Sequence, residues 1–230
     1  CGRWTADLHT TDPGQASLPT GIGWSRKHFP PDAGAAGKRV SIEFDGVYEN
    51  SEVWINGKSV GKRPFGYITF AYDITSQLVS GDNVVAVRVD NSAQPNSRWY
   101  SGSGIDRNVR LIVAWPAHVQ HWGVTVAIPK AGAEAATVVA KTVFENEDKT
   151  PLDGIVRSTL IGPDGKQAAT ADATIRVEPG QSAEASSDLA VTSASLWSVE
   201  HPSLYQLRTT VLASGKPIDE VVTPVGIRTI

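Results

Sequence analysis

One stretch of this 230-residue chain, Asn91 to Arg107, gathers side-chain amides, a guanidinium and two adjacent aromatic rings. It reads Asn-Ser-Ala-Gln-Pro-Asn-Ser-Arg-Trp-Tyr-Ser-Gly-Ser-Gly-Ile-Asp-Arg. That mixture suits the recognition of sugars: planar amide and guanidinium groups fork onto hydroxyls, and aromatic faces stack on the apolar side of a sugar ring. The stretch is a long connection between two strand-like runs, and long loops in compact domains are disproportionately functional. A second reading is equally open on the residue types. In it, Trp99 and Tyr100 close the end of their own domain and Arg98 pairs with a local carboxylate.

Other chemistry is poorly supported. Glycoside hydrolysis needs two carboxyls facing each other across a sugar. Glu43, Asp45, Glu49 and Glu52 are close in sequence, but Glu43 and Asp45 share one strand face and read as the solvated side of a half-buried strand. No G-x-S-x-G elbow is present, and the single cysteine is Cys1. His118 and His121 lie near a predicted domain junction, and His9, His28 and His201 are scattered without metal-ligand spacing. Phosphate loops and dinucleotide fingerprints are lacking. No catalytic residue, metal ligand or cofactor is therefore expected.

The elements that position these residues are strands. Hydrophobic residues make up 40% and charged residues 20%, a composition that supports a packed core. The net charge of -3 gives no basic footprint for nucleic acid. No apolar run is long enough for a membrane-spanning helix. One cysteine excludes an intrachain disulfide, and both exported and cytoplasmic locations are compatible with that.

β-rich runs recur every eight to twelve residues, separated by turn clusters. In the first half they are Gly21 to Phe29, Lys38 to Val47, Glu52 to Val60, Tyr67 to Ile74, Asn83 to Val89 and Asn108 to Ala114. Asn56-Gly57 predicts a tight hairpin inside the third run. Trp115-Pro116-Ala117 interrupts, because Pro116 has no N–H for a central ladder. The predicted domains are therefore 1–116 and 117–230. The second half carries runs at Val119 to Ile128, Ala136 to Asn146, Val156 to Ile161, Thr174 to Val177, Ala183 to Leu189 and Leu204 to Ala213. Strands without alternating helices predict an all-β chain of two sandwiches. Trp24, Trp54 and Trp197 read as core aromatics, and Trp115 and Trp122 as packing at the junction.

The run Ser97-Arg98-Trp99-Tyr100-Ser101-Gly102-Ser103-Gly104-Ile105-Asp106-Arg107-Asn108-Val109 resembles the signature closing the first domain of family 2 glycoside hydrolases, the β-galactosidase, β-mannosidase and β-glucuronidase group. Other markers follow in the family's order. They are Gly21 to Phe29, then Phe44-Asp45-Gly46-Val47, Val53-Trp54-Ile55-Asn56-Gly57, Gly66-Tyr67 and Phe70 to Ile74. Later come Leu196-Trp197-Ser198 through Leu207, and Gly226-Ile227-Arg228-Thr229-Ile230. The set looks most like the β-galactosidases. Two features depart from the family: Asp106 stands at a usually aromatic position, and Cys1 to Leu18 lacks a recognisable form of the usual leading motif.

The resemblance implies a jelly-roll (galactose-binding-like) sandwich followed by an immunoglobulin-like one. In the family a (β/α)₈ barrel with two catalytic glutamates follows, so this chain is expected to be inactive alone. It would scaffold that barrel as a partner and help complete its carbohydrate subsite. By position, the resemblance assigns sugar contacts to Asn96, Arg98, Trp99 and Tyr100. It also reads Arg107 as a structural pairing residue, and Gly102 and Gly104 as turn residues. Oligomerisation is compatible with this picture. The alternatives are a free-standing carbohydrate-binding module for a β-galactoside or related glycoside, and a purely structural tandem sandwich.

Overall fold

The computed structural model describes residues 21–30, 34–93 and 102–228. The chain divides into two compact units, Cys1–Ala114 and Trp115–Ile230. In the first, the strands are β1 (Gly21–Phe29), β2 (Arg39–Phe44), β3 (Val47–Tyr48), β4 (Ser51–Ile55), β5 (Lys58–Arg63), β6 (Phe70–Asp73), β7 (Asn83–Asn91), β8 (Gly104–Ile105) and β9 (Val109–Ala114). They form a four-stranded sheet β1-β7-β4-β5, a three-stranded sheet β6-β2-β9 and a two-stranded ladder β3-β8, with every pairing antiparallel. The arrangement is a jelly-roll type of sandwich.

Alternation builds the core of this unit. Val85, Val87 and Val89 of β7 point inward against Val53 and Ile55 of β4, and Val40, Ile42 and Phe44 of β2 close the layer from the other sheet. Successive strand residues face opposite sides, so one register setting buries the whole set. Asn56 and Gly57 both have positive φ, 50° and 81°, as the tight β4–β5 turn requires. The Asn56 side chain then ties that turn to its neighbours: it donates to Gln77 O (2.9 Å) and Asn83 Oδ1 (2.8 Å), and accepts from Val84 N (2.8 Å).

The second unit holds β10 (Ala117–Lys130), β11 (Ala135–Asn146), β12 (Leu152–Ile161), β13 (Gln167–Val177), β14 (Gln181–Thr192), β15 (Tyr205–Ala213) and β16 (Lys216–Val225). Sheets β10-β11-β14 and β13-β12-β15-β16 face one another. Seven strands split three and four make an immunoglobulin-like sandwich. Its interior is filled by Val138, Phe144, Leu160, Leu189, Leu207 and Ile227 among others. Tyr205 is buried, and its hydroxyl accepts from Ser195 N at 2.8 Å.

Several sequence expectations need correction. Trp24 is not a core residue: it is 52% exposed. On β1 it is Gly21, Gly23, Ser25 and Phe29 that face inward, while Ile22 and Trp24 face out. Trp54 and Trp197 are only half-buried. The Trp197 ring packs beside Gly226, where an added Cβ would come within 3.1 Å, and the Arg228 guanidinium carbon lies 4.6 Å from its centroid. Trp115 and Trp122 are 54% and 60% exposed. Trp122 sits in the β10 bulge at φ 58° with the His121 ring 4.2 Å away.

Glu43 is not solvated: it is 7% exposed, with Arg110 opposite it on β9 in the strand register and covering it. The run from Tyr67 becomes a strand only at Phe70, because Phe65, Tyr67 and Ile68 belong to an exposed loop. β16 lies beyond the last predicted run, Leu204 to Ala213, and carries Pro217 and Pro224. It pairs only with β15, and an edge strand tolerates prolines.

Candidate functional site

The amide- and aromatic-rich loop leaves one end of the first sandwich. Asn96, Arg98, Trp99 and Tyr100 lie outside the described residues. What the structure shows is how the loop is held at its base. β7 delivers the chain to Asn91, which is fully buried, and its Nδ2 donates to Ser103 Oγ at 2.8 Å across the two ends of the connection. Gly104 then turns the chain at φ 112°, a conformation that favours glycine, and enters β8. Gly102, read with it as a turn residue, is not among the glycines with positive φ. β8 docks on β3 through Val47 opposite Ile105 and Tyr48 opposite Gly104.

Two more connections reach the same end. The segment between β3 and β4 carries Glu49 and Asn50. Its backbone is joined to the base of the loop by Asp90 N donating to Glu49 O (3.0 Å), and Asn50 Nδ2 donates to Asp90 O (3.1 Å). The connection between β5 and β6 brings Phe65 and Tyr67. The Tyr67 ring lies 5.1 Å from Tyr48 and 5.7 Å from Phe65. Gly66 fits because its side is filled by Tyr48, whose Cδ2 would be 2.6 Å from an added Cβ. Desolvation, then Tyr48, then the charges of Asp106 and Glu49 hold the Tyr67 hydroxyl above the usual phenol range. It remains a neutral hydrogen-bonding group at physiological pH.

Charged groups below this end are paired. Arg110 Nη1 bonds Asp45 Oδ1 (2.6 Å) and Glu43 Oε1 (3.1 Å). The Arg110 hydrogen bond keeps the Asp45 carboxyl below its ordinary range, and Asn108 and Arg107 add to that. Asp90 is depressed first by hydrogen bonds from Ser92 and then by Arg88, whose Nη2 is 2.8 Å from Asp90 Oδ2. Arg107, expected to pair structurally, faces its neighbour Asp106 at 3.7 Å, and both are half-exposed.

A groove of about 350 Å³ opens where β4, β5 and β7 end, and Ser92 and Ala93 at the root of the loop form part of its wall. Glu52, Lys62, Arg63, Arg88 and Asp90 are its charged residues. Sequence reasoning did not find this groove. The signal was available in the outward positions of β4 and β7, but they read as ordinary solvated faces. Among the described residues, no cluster of His, Cys, Asp or Glu could hold a metal, and no helix is long and apolar enough to cross a membrane.

Comparison with known proteins covers almost the whole chain. Residues 8–115 match the model described as glycosyl hydrolases family 2, sugar binding domain, and residues 117–228 match the one described as glycosyl hydrolases family 2. A β-galactosidase of Bacteroides ovatus, BoGH2A, is 45% identical over 94% of this chain. A putative β-glucuronidase of Formosa agariphila is 40% identical over 91% of it. The chain spans 26% of the length of the first relative and 20% of the second. A crystal structure of a family 2 glycosyl hydrolase from Bacteroides cellulosilyticus superposes with a TM-score of 0.88 at 34% identity, covering 95% of this chain and 31% of that one.

Proposed function

The chain belongs to glycosyl hydrolase family 2, and from that premise we propose that it is the non-catalytic front of a β-galactosidase-like hydrolase. In this reading its two sandwiches carry a (β/α)₈ barrel that holds both catalytic carboxyls. The first sandwich lends its end loop to the barrel's sugar subsite. Arg98 forks onto hydroxyls, Trp99 stacks on a ring face, and Asn96 and Tyr100 complete the contact. The B. ovatus β-galactosidase at 45% identity supports the β-galactosidase side of this reading.

The observation that carries the loop's role is the clamp at its base. A buried Asn91 bonded to Ser103, followed by a left-handed Gly104, fixes where both ends of the connection leave the sandwich. Rigid anchoring is what a loop needs if it is to present polar groups to a substrate held by another domain. The test is kinetic, in the full-length enzyme. Arg98→Ala and Trp99→Ala should each raise KM for a nitrophenyl β-galactoside by roughly tenfold. Unchanged KM and kcat in both variants would remove the loop from the subsite.

A further inference from the structure

We propose that the outward face of the β1-β7-β4-β5 sheet is a second saccharide-binding surface for a neutral oligosaccharide, separate from the end loop. The proposal rests on the chain's membership of a carbohydrate-active family. It is carried by the juxtaposition of an exposed tryptophan pair and a polar groove on one rigid sheet.

The register fixes that juxtaposition. Trp24 on β1 pairs with Arg88 on β7, and Arg88 pairs on its other side with Glu52 on β4. Glu52 in turn pairs with Lys62 on β5. Paired residues of neighbouring strands point to the same face. Trp24, Arg88, Glu52 and Lys62 therefore form one row across the sheet. Trp54, two residues beyond Glu52, faces the same way, and its ring centroid lies 5.0 Å from that of Trp24 at 33°. The result is a two-ring aromatic shelf beside a row whose Arg88, Glu52 and Lys62 also line the groove of about 350 Å³. A volume of this order is typical of a small-ligand site.

The chemistry selects a neutral sugar over an ion or an apolar ligand. Each charge of the row is matched on the face itself. Arg88 is held by Asp90 at 2.8 Å, and Lys62 lies 3.1 Å from Glu52, which also accepts from Ser59 Oγ at 3.0 Å. Pairing cancels the charge of the row, while Arg63, which also lines the groove, lies over the Phe70 ring with its guanidinium carbon 5.7 Å from the centroid. The fixed donors and acceptors of the row are the complement of a polyol. Hydrogen bonds from Ser92 and Arg88 keep Asp90 ionised and so an acceptor. The indoles supply what polar groups cannot, a flat apolar surface for the C–H face of a pyranose. Tryptophan is highly buried on average, so a Trp half open to solvent at a strand position is informative. Strand placement also distinguishes this surface from the loop, since no part of the row depends on loop conformation.

The experiment titrates the full 230-residue chain with β-1,4-galactotetraose, cellotetraose and tetragalacturonate, using calorimetry and tryptophan fluorescence. A neutral tetrasaccharide should bind saturably in the millimolar range or tighter. Trp24→Ala and Arg88→Ala should each weaken it by roughly tenfold. Trp122→Ala, an exposed tryptophan of the other sandwich, should leave it unchanged. Arg98→Ala and Trp99→Ala are titrated in parallel: a loss confined to Trp24→Ala and Arg88→Ala reports this surface and a loss confined to Arg98→Ala and Trp99→Ala reports the end loop, so the two readings fail separately. No heat or quenching with either neutral sugar at millimolar concentration would overturn the proposal. So would preferential binding of tetragalacturonate, or binding lost in Arg98→Ala but kept in Trp24→Ala. A Trp24→Ala variant that binds sugar normally but changes sedimentation would make the face a protein contact and equally refute it.

Discussion

Ser103→Ala is expected to destabilise the first sandwich far more than its position suggests. Ser103 is exposed, and an exposed substitution ordinarily changes stability by about 0.5 kcal/mol or less. Here the lost hydroxyl accepts from Asn91 Nδ2, and Asn91 is fully buried. Losing a hydrogen bond made by a buried amide costs about 1–2 kcal/mol. The first unit, Cys1–Ala114, has an unfolding entropy of roughly 2.1 cal/mol/K per residue, or about 0.24 kcal/mol/K in all. The predicted fall in its melting temperature is therefore about 4–8 °C. Differential scanning calorimetry reads it, with the two units resolved as separate transitions. A double-mutant cycle sharpens the test. Asn91→Ala removes the donor itself, so adding Ser103→Ala to it should cost little, and the coupling energy should be about 1 kcal/mol. A Ser103→Ala melting point within about 1 °C of wild type, or strictly additive single mutants, would refute the clamp.

Three further outcomes follow from particular contacts. Gly61→Ala would place a Cβ 2.2 Å from Tyr72 Cε1, so it should destabilise by about 1–3 kcal/mol, and Tyr72→Ala should relieve most of that in the double variant measured by urea unfolding. Thr209 and Ser158 face each other in the β15–β12 register, both buried, and neither hydroxyl has a partner among the described residues. Thr209→Val should therefore raise the melting temperature of the second sandwich, by an amount equivalent to about 1 kcal/mol, and a fall would show a bound water bridging the hydroxyls. The folded-state pKa values of Asp45 and Asp90 lie below the ordinary carboxylate range. Their contribution is thus fully present above the unfolded value near 3.9 and lost as pH falls through the lower folded values. Melting curves from pH 5 downward should show a decline that is smaller in Asp45→Asn/Asp90→Asn, and a slope identical to wild type would contradict the assignment.

The strand framework was legible because alternation is a direct consequence of burying one side of a pleated ribbon. β7 reads cleanly, with Val85, Val87 and Val89 inward, and Asn56-Gly57 announced its turn. Errors arose where a pattern has two solutions. β1 carries Ile22 and Trp24 outward and Gly21, Gly23 and Ser25 inward, so its alternation, read by residue type, placed Trp24 in the core. β16 falls beyond the last predicted run, and its two prolines are tolerated because it is an edge strand. Glu43 looked solvated because the arginine that covers it, Arg110, is distant in sequence and arrives only through β2–β9 pairing. The loop composition at Asn91 to Arg107 and the family signature were visible from residues. Its clamp was not, since the Asn91–Ser103 bond depends on where β7 and β8 end.

In the proposed reading this chain is the sugar-handling, non-catalytic part of a family 2 hydrolase. Reading the coding sequence beyond the codon for Ile230 tests it most directly. The account predicts an open frame of about 250 residues alternating strands and helices, with two glutamates at the carboxyl ends of barrel strands. A frame that stops there, or continues into a fold without those carboxyls, would contradict it.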